Sequence, residues 1–136
     1  METQSPTERT LTHIDHVRLT RLASLSERDA YGAVQALLEN SDLVASAIVP
    51  ATVVTMYTQV LLQGDAGTAP YKVTLCYPDD AEPSQGFISV LSPLGASLLG
   101  LRVGDVARWR TPFGGERKAR IVEVLFQPEA NGDYTI

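Results

Sequence analysis

The sequence predicts an α+β protein: a short antiparallel helical hairpin over residues 1–49, then, over residues 50–136, an antiparallel β-sheet domain carrying one short helix. Three observations predict it. Apolar residues recur at helical spacing as far as Pro50. From Val53 the spacing changes to the alternation of strands, rich in β-branched and aromatic residues. The segment SPLGASLLG, 92–100, carries the start and stop residues of one short helix.

The first ten residues, METQSPTERT, are polar and expected to fray. Leu11, Ile14, Val17, Leu22 and Leu25 predict a helix over 11–25, with Asp15, Arg18 and Arg28 directed elsewhere. SERDAYG, 26–32, reads as a turn, and Ala33, Val34, Leu37, Leu38, Val44 and Ala45 predict a second helix over 33–47. So short a polar connection forces the two helices to pack antiparallel, and at about 1.5 Å per residue each reaches only ~20 Å.

Pro50 ends the helical region. VVTMYTQVLL, 53–62, predicts a strand with Val54, Met56, Val60 and Leu62 on one face. QGDAGTAP turns the chain into YKVTLCYP, where Tyr71, Val73, Leu75 and Tyr77 alternate as an antiparallel partner. After the acidic loop YPDDAEPSQG, FISVLS predicts a short strand. Ser92 then serves as N-cap, Pro93 occupies the first helical turn and Gly100 stops the helix. Leu94, Leu98 and Leu99 are expected to cap the sheet, and Gly95, beside Ala96 and Ser97, permits close approach. Gly104 and Asp105 turn the chain into DVARWR, TPFGG turns it again, and KARIVEVLFQ completes five strands.

An apolar content of 44% with 20% charged residues fits a folded globular chain. No window approaches the roughly 18 apolar residues of a membrane span, and the polar start lacks the layout of a secretion signal, so a cytoplasmic, membrane-free protein is expected. The single cysteine, Cys76, excludes an internal disulfide, and its apolar strand neighbours suggest a structural thiol. A net charge of −5 with no basic run argues against direct nucleic-acid binding and for a protein partner. No cofactor or metal is expected: the chain has no GxxxxGK[ST] loop, and His13 and His16, near Asp15, lack further ligands. No Ser-His-Asp or Cys-His arrangement can be assembled, so the chain is not expected to be an enzyme. Arg108, Arg110, Arg117, Lys118 and Arg120 cluster on the last hairpin, where they are either a solvated strand face or a docking surface for an acidic patch.

ISVLSPLGASLLGLRVGD, 88–105, resembles the signature of the FKBP-like C-terminal domain shared by the Gre transcript-cleavage factors and the Rnk proteins, named as regulators of nucleoside diphosphate kinase. The likeness covers roughly 50–136 and includes Val53, Val54, Thr55 and Met56. Leu101 stands where Gre sequences usually carry lysine, and FQPEANGDY, 126–134, is similar to the Rnk tail, so the Rnk branch is favoured. Its truncated helical arm matches the two short helices read above.

The resemblance implies a bacterial, monomeric protein that binds RNA polymerase. The arm would approach the secondary channel and the FKBP-like domain would dock at its rim. It would compete with Gre factors without stimulating transcript cleavage, meet DNA only indirectly, and affect nucleoside diphosphate kinase indirectly. Within that reading Glu27 and Asp29, at the tip between the helices, are the residues placed to meet basic side chains, although Arg28 between them weakens any delivery of metal. Ser92, Pro93, Leu94, Gly95, Gly100, Gly104 and Asp105 are expected to be structural. Two alternatives are direct regulation of another enzyme and prolyl isomerisation in an aromatic pocket. The pocket would draw on Tyr57, Tyr71, Tyr77, Phe87, Trp109, Phe113 and Phe126, whose spread over alternating strands fits packing better.

Overall fold

A computed structural model describes residues 8–25, 28–64 and 68–134, except the side chains of residues 25 and 28–33. In chain order the elements are β1 (Thr10–Thr12), α1 (His13–Leu25), α2 (Arg28–Asn40), β2 (Asp42–Val44), β3 (Gln59–Gln63), β4 (Tyr71–Cys76), β5 (Phe87–Ser89), α3 (Pro93–Leu98), β6 (Val106–Arg110) and β7 (Glu116–Phe126). The five later strands form one curled sheet in the order β5-β4-β3-β7-β6. It is antiparallel except that β5 runs parallel to β4. Short 3-10 turns at Pro78–Asp80 and Pro83–Gln85 carry the chain back so that β5 can add in that direction. β3 sits in the middle, with Val60 and Leu62 buried on the inner face beside Val73 and Leu75 of β4 and Ile121 of β7.

The helical arm differs from expectation at both ends. The first helix starts at His13, because Thr10, Leu11 and Thr12 form β1, which pairs in parallel with β2. Thr12 is its cap: the Thr12 Oγ1 accepts from the Asp15 backbone N at 3.0 Å. The second helix runs from Arg28 to Asn40, not 33–47. Asn40 Nδ2 donates to the Ala36 carbonyl and Ser41 Oγ to that of Leu37, so polar side chains take up the last turn's acceptors and stop the helix before Val44. Nor is the region before Thr12 wholly frayed: Thr10 and Leu11 are buried.

The buried face of α1 also differs. Ile14 and Val17 are exposed, at 36% and 60%, whereas Asp15 and Leu19 are buried and Leu22 packs on the core. The helix is weakly amphipathic, so two apolar stripes compete in the sequence. The inward face carries Asp15, whose carboxylate accepts from the buried Met56 N at 3.1 Å. Leu11, Leu19, Val34, Leu37 and Leu38 join Met56, Leu62, Leu98 and Ile121 in a single core cluster, so the arm and the sheet share one hydrophobic interior.

The expected strand from Val53 begins only at Gln59. Thr55 and Thr58 turn the chain between them: the Thr55 N donates to Thr58 Oγ1 at 2.9 Å, and the Thr58 N to the Thr55 carbonyl at 3.1 Å. Tyr57 adopts φ +65 there. A β-branched run thus becomes a turn because threonine side chains compete for its backbone.

Candidate functional site

Three surfaces were expected to matter, and a fourth was not foreseen. At the arm's tip, Asp29 lies in the first turn of α2, while Glu27 and the side chain of Asp29 fall outside the described residues.

The signature helix α3 is built as its sequence suggests. The Ser92 Oγ accepts from the Gly95 N at 3.0 Å, and Pro93 occupies the first helical position. A Cβ at Gly95 would stand 1.9 Å from the Ser89 carbonyl oxygen, so glycine is what lets α3 lie on the end of β5. Leu98 and Leu99 are fully buried, and Leu94 packs against the core. Gly100 follows at φ +82. Its N donates to the Val54 carbonyl at 2.8 Å and its carbonyl accepts from the Thr10 N at 3.0 Å. Gly104 has φ +96, and the Asp105 carboxylate accepts from the Arg102 N at 2.9 Å to close the next turn.

The unforeseen surface is the seam between arm and sheet. Arg9 NH1 donates to the Leu99 carbonyl at 2.8 Å and to that of Ser97 at 3.1 Å, taking up acceptors that α3 leaves open at its C-terminus. Asp15 is 3% exposed, and its Oδ2 accepts from the Met56 N at 3.1 Å. Burial raises its carboxyl to about 6, with the nearby Glu129 adding to the rise and Arg18 opposing it. Glu129 in turn accepts from Thr55 Oγ1 at 2.6 Å. Tyr77 is held above the ordinary tyrosine range by burial and then by Asp15. Tyr57, 5.8 Å away ring to ring, is raised to about 12 by burial and by the hydrogen bond it donates to Asp80. One signal was legible: THID, 12–15, is a capping threonine followed three residues later by an acid. That pattern marks a helix start at His13, while the inward turn of Asp15 depends on Met56, 41 residues away.

Arg108, Arg110, Lys118 and Arg120 share one face of the β6-β7 hairpin, since Arg108 pairs with Lys118, Arg110 with Glu116 and Val106 with Arg120. Arg117, opposite Trp109, lies on the other. An open cleft of about 710 Å³ beside the hairpin is lined by Tyr71, Trp109 and Arg117 together with Arg108, Glu116, Lys118 and the hairpin turn.

The aromatic residues named for an isomerase pocket do not converge. Phe113 projects from a hairpin tip, Phe87 and Phe126 are exposed on separate strands, Tyr71 and Trp109 line the cleft beside the hairpin, and Tyr57 packs on Tyr77 elsewhere. His16 Nε2 donates to the Leu38 carbonyl at 3.0 Å, tying α1 to α2, while His13 is exposed. Among the described residues no group of three or more His, Cys, Asp or Glu side chains is placed to hold a metal ion, and no helix is long and apolar enough to cross a membrane.

Comparison with known proteins agrees with this architecture. The family described as "Transcription elongation factor, GreA/GreB, C-term" matches residues 49–126. The "Regulator of nucleoside diphosphate kinase" of Escherichia coli K12 is 34% identical over 129 residues, 90% of this chain and 95% of that protein. "Transcription elongation factor GreA" of Solidesulfovibrio magneticus is 65% identical over 55 residues, but these are 40% of this chain and only 33% of that protein. The solved structure of a "Prokaryotic transcription elongation factor GreA/GreB from Nitrosomonas europaea" is 33% identical, with a TM-score of 0.76 over 89% of this chain and 100% of that one.

Proposed function

The chain belongs to the GreA/GreB C-terminal family as a Gre-related regulator, and on that premise we propose that it is a cytoplasmic, monomeric regulator that binds RNA polymerase and performs no catalysis of its own. The arm approaches the secondary channel, presenting Glu27 and Asp29, and the β-sheet domain rests at the rim through Arg108, Arg110, Arg117, Lys118 and Arg120. Bound there it competes with Gre factors without stimulating transcript cleavage.

The observation that carries this reading is the arm's length. Each of its helices has 13 residues, about 20 Å at 1.5 Å per residue. Such an arm occupies a channel mouth without bringing a carboxylate to a catalytic magnesium deep within. Its root is held by Arg9, Thr10 and Asp15, which gives a short arm a fixed direction. Effects on nucleoside diphosphate kinase then follow indirectly through transcription.

The test is capture of purified core RNA polymerase by the full chain, with a Gre factor as competitor. Glu27→Ala combined with Asp29→Ala is the appropriate arm variant, because deleting the arm strips Leu11 and Leu19 from the shared core. Binding displaced by the Gre factor, with no stimulated cleavage of backtracked transcripts, is the expected result. Absence of binding at micromolar concentrations refutes the reading. The second reading, direct regulation of another enzyme, is favoured by the relative named as a regulator of nucleoside diphosphate kinase. It predicts capture of that purified kinase in the absence of polymerase.

A further inference from the structure

Charge in this protein is segregated. Residues 106–120 hold Arg108, Arg110, Arg117, Lys118 and Arg120 against Glu116 alone, a net +4, so that the rest of a chain of net −5 sums to −9. Arg108 and Lys118 stand directly across the ladder from one another. Like charges so placed oppose strand pairing, so fold stability does not account for them. The hairpin also runs past the sheet: β3 pairs with β7 only from Arg120 to Phe126, so Arg108, Arg110, Arg117 and Lys118 lie on a two-stranded stretch that projects beyond β3.

At the tip of this hairpin Phe113 is 98% exposed. Its turn is closed tightly: the Thr111 N donates to the Gly115 carbonyl at 2.7 Å, the Gly114 N to the Thr111 carbonyl at 3.0 Å, and the Gly115 N to Thr111 Oγ1 at 3.1 Å. Pro112 fixes the residue before Phe113, and Gly114 takes φ +85 after it. The ring is therefore presented to solvent from a pre-organised turn, which lowers the ordering cost of burying it in a partner. An aromatic side chain that fills a pocket on a partner is a common anchor of protein interfaces.

We propose that the β6-β7 hairpin is a docking finger for another protein whose surface is acidic around a shallow apolar socket. Phe113 fills the socket, and Arg108, Arg110 and Lys118, which share one face of the hairpin, meet its acidic rim. This deepens, and rests on, the reading that the protein acts by binding a larger partner.

Trp109, the chain's only tryptophan, lies in the hairpin and reports on it directly. The experiment titrates the full chain with a synthetic peptide of alternating glutamate and leucine, follows Trp109 emission, and uses a lysine-leucine peptide as control. Saturable response to the acidic peptide only, weakened by salt and about tenfold or more by Phe113→Ser, is expected. Arg108→Glu combined with Lys118→Glu should abolish it. No response, or one that both variants leave intact, overturns the proposal.

The same variants are then tested against core RNA polymerase. Polymerase binding that ignores Phe113 overturns the docking role and leaves the polymerase reading standing. Capture of the acidic peptide by the hairpin without any polymerase binding upholds the finger and removes polymerase as its target. Sedimentation that shows a dimer lost in Phe113→Ser would assign the socket to a second copy of this chain and likewise overturn the proposal.

Discussion

Asp15→Asn should make the protein more stable at neutral pH and change its pH dependence. The Asp15 carboxyl is raised from 3.8 to about 6, burial being the first cause. That difference, at about 1.4 kcal/mol per unit, is about 3 kcal/mol of linkage. Below pH 3.8 the group is protonated whether the chain is folded or not, and its burial carries no charge penalty. As the pH rises the unfolded chain ionises first, while the folded chain keeps its proton until about pH 6. Stability therefore falls across this window, and the full penalty is reached above it. Asparagine keeps an oxygen for the Met56 N and never ionises. Urea unfolding followed through Trp109 should give a variant about 3 kcal/mol more stable than the wild type at pH 7.5 and nearly equal to it at pH 4. Reading the difference between the two proteins removes the contribution of carboxylates that are not coupled to Asp15, Glu129 being one that is. A difference that is the same at both pH values would show that Asp15 does not titrate as its burial requires.

Gly95→Ala should cost several kcal/mol or abolish folding, because its Cβ meets the Ser89 carbonyl at 1.9 Å. Gly104→Ala, with open space around it and only its φ of +96 to strain, should cost about 1 kcal/mol, and thermal melts of the pair separate clash from strain. Arg9→Ala should destabilise by about 2 kcal/mol through loss of charged hydrogen bonds to the end of α3, and a change under about 0.5 kcal/mol in urea titrations would contradict the clamp. The Cys76 thiol is fully buried and raised by that burial, so labelling by a thiol reagent should be slow in the native protein and fast in urea; rapid native labelling would contradict its position.

The sheet domain was largely legible because its signals are local. Ser92, Pro93 and Gly95 act on neighbours within a few residues, and alternation in YKVTLC reports a face directly. The arm was read less well because its determinants are distant. Asp15 looks like a surface acid until Met56, 41 residues away, is brought beside it. Arg9 looks like part of a polar tail until α3 offers it carbonyls. The bounds of α2 were misplaced where Asn40 and Ser41 outweighed the continued apolar spacing to Val44. At the candidate interface the basic residues stood out by composition. What could not be read was which face each occupies, since that depends on register across two strands, nor that Phe113 would stand clear of every core.

The seam between Arg9 and α3 also sets an order of assembly. Thr10 must find Gly100 and Arg9 must find Leu99, partners about 90 residues later in the chain. During synthesis the two helices leave the ribosome ahead of the sheet, yet β1 and the start of α1 lack the partners that Leu99 and Gly100 provide until the signature helix has followed them. The nascent arm must wait with its apolar faces uncovered, and arm and sheet close into one unit only after Leu99 and Gly100 have been made.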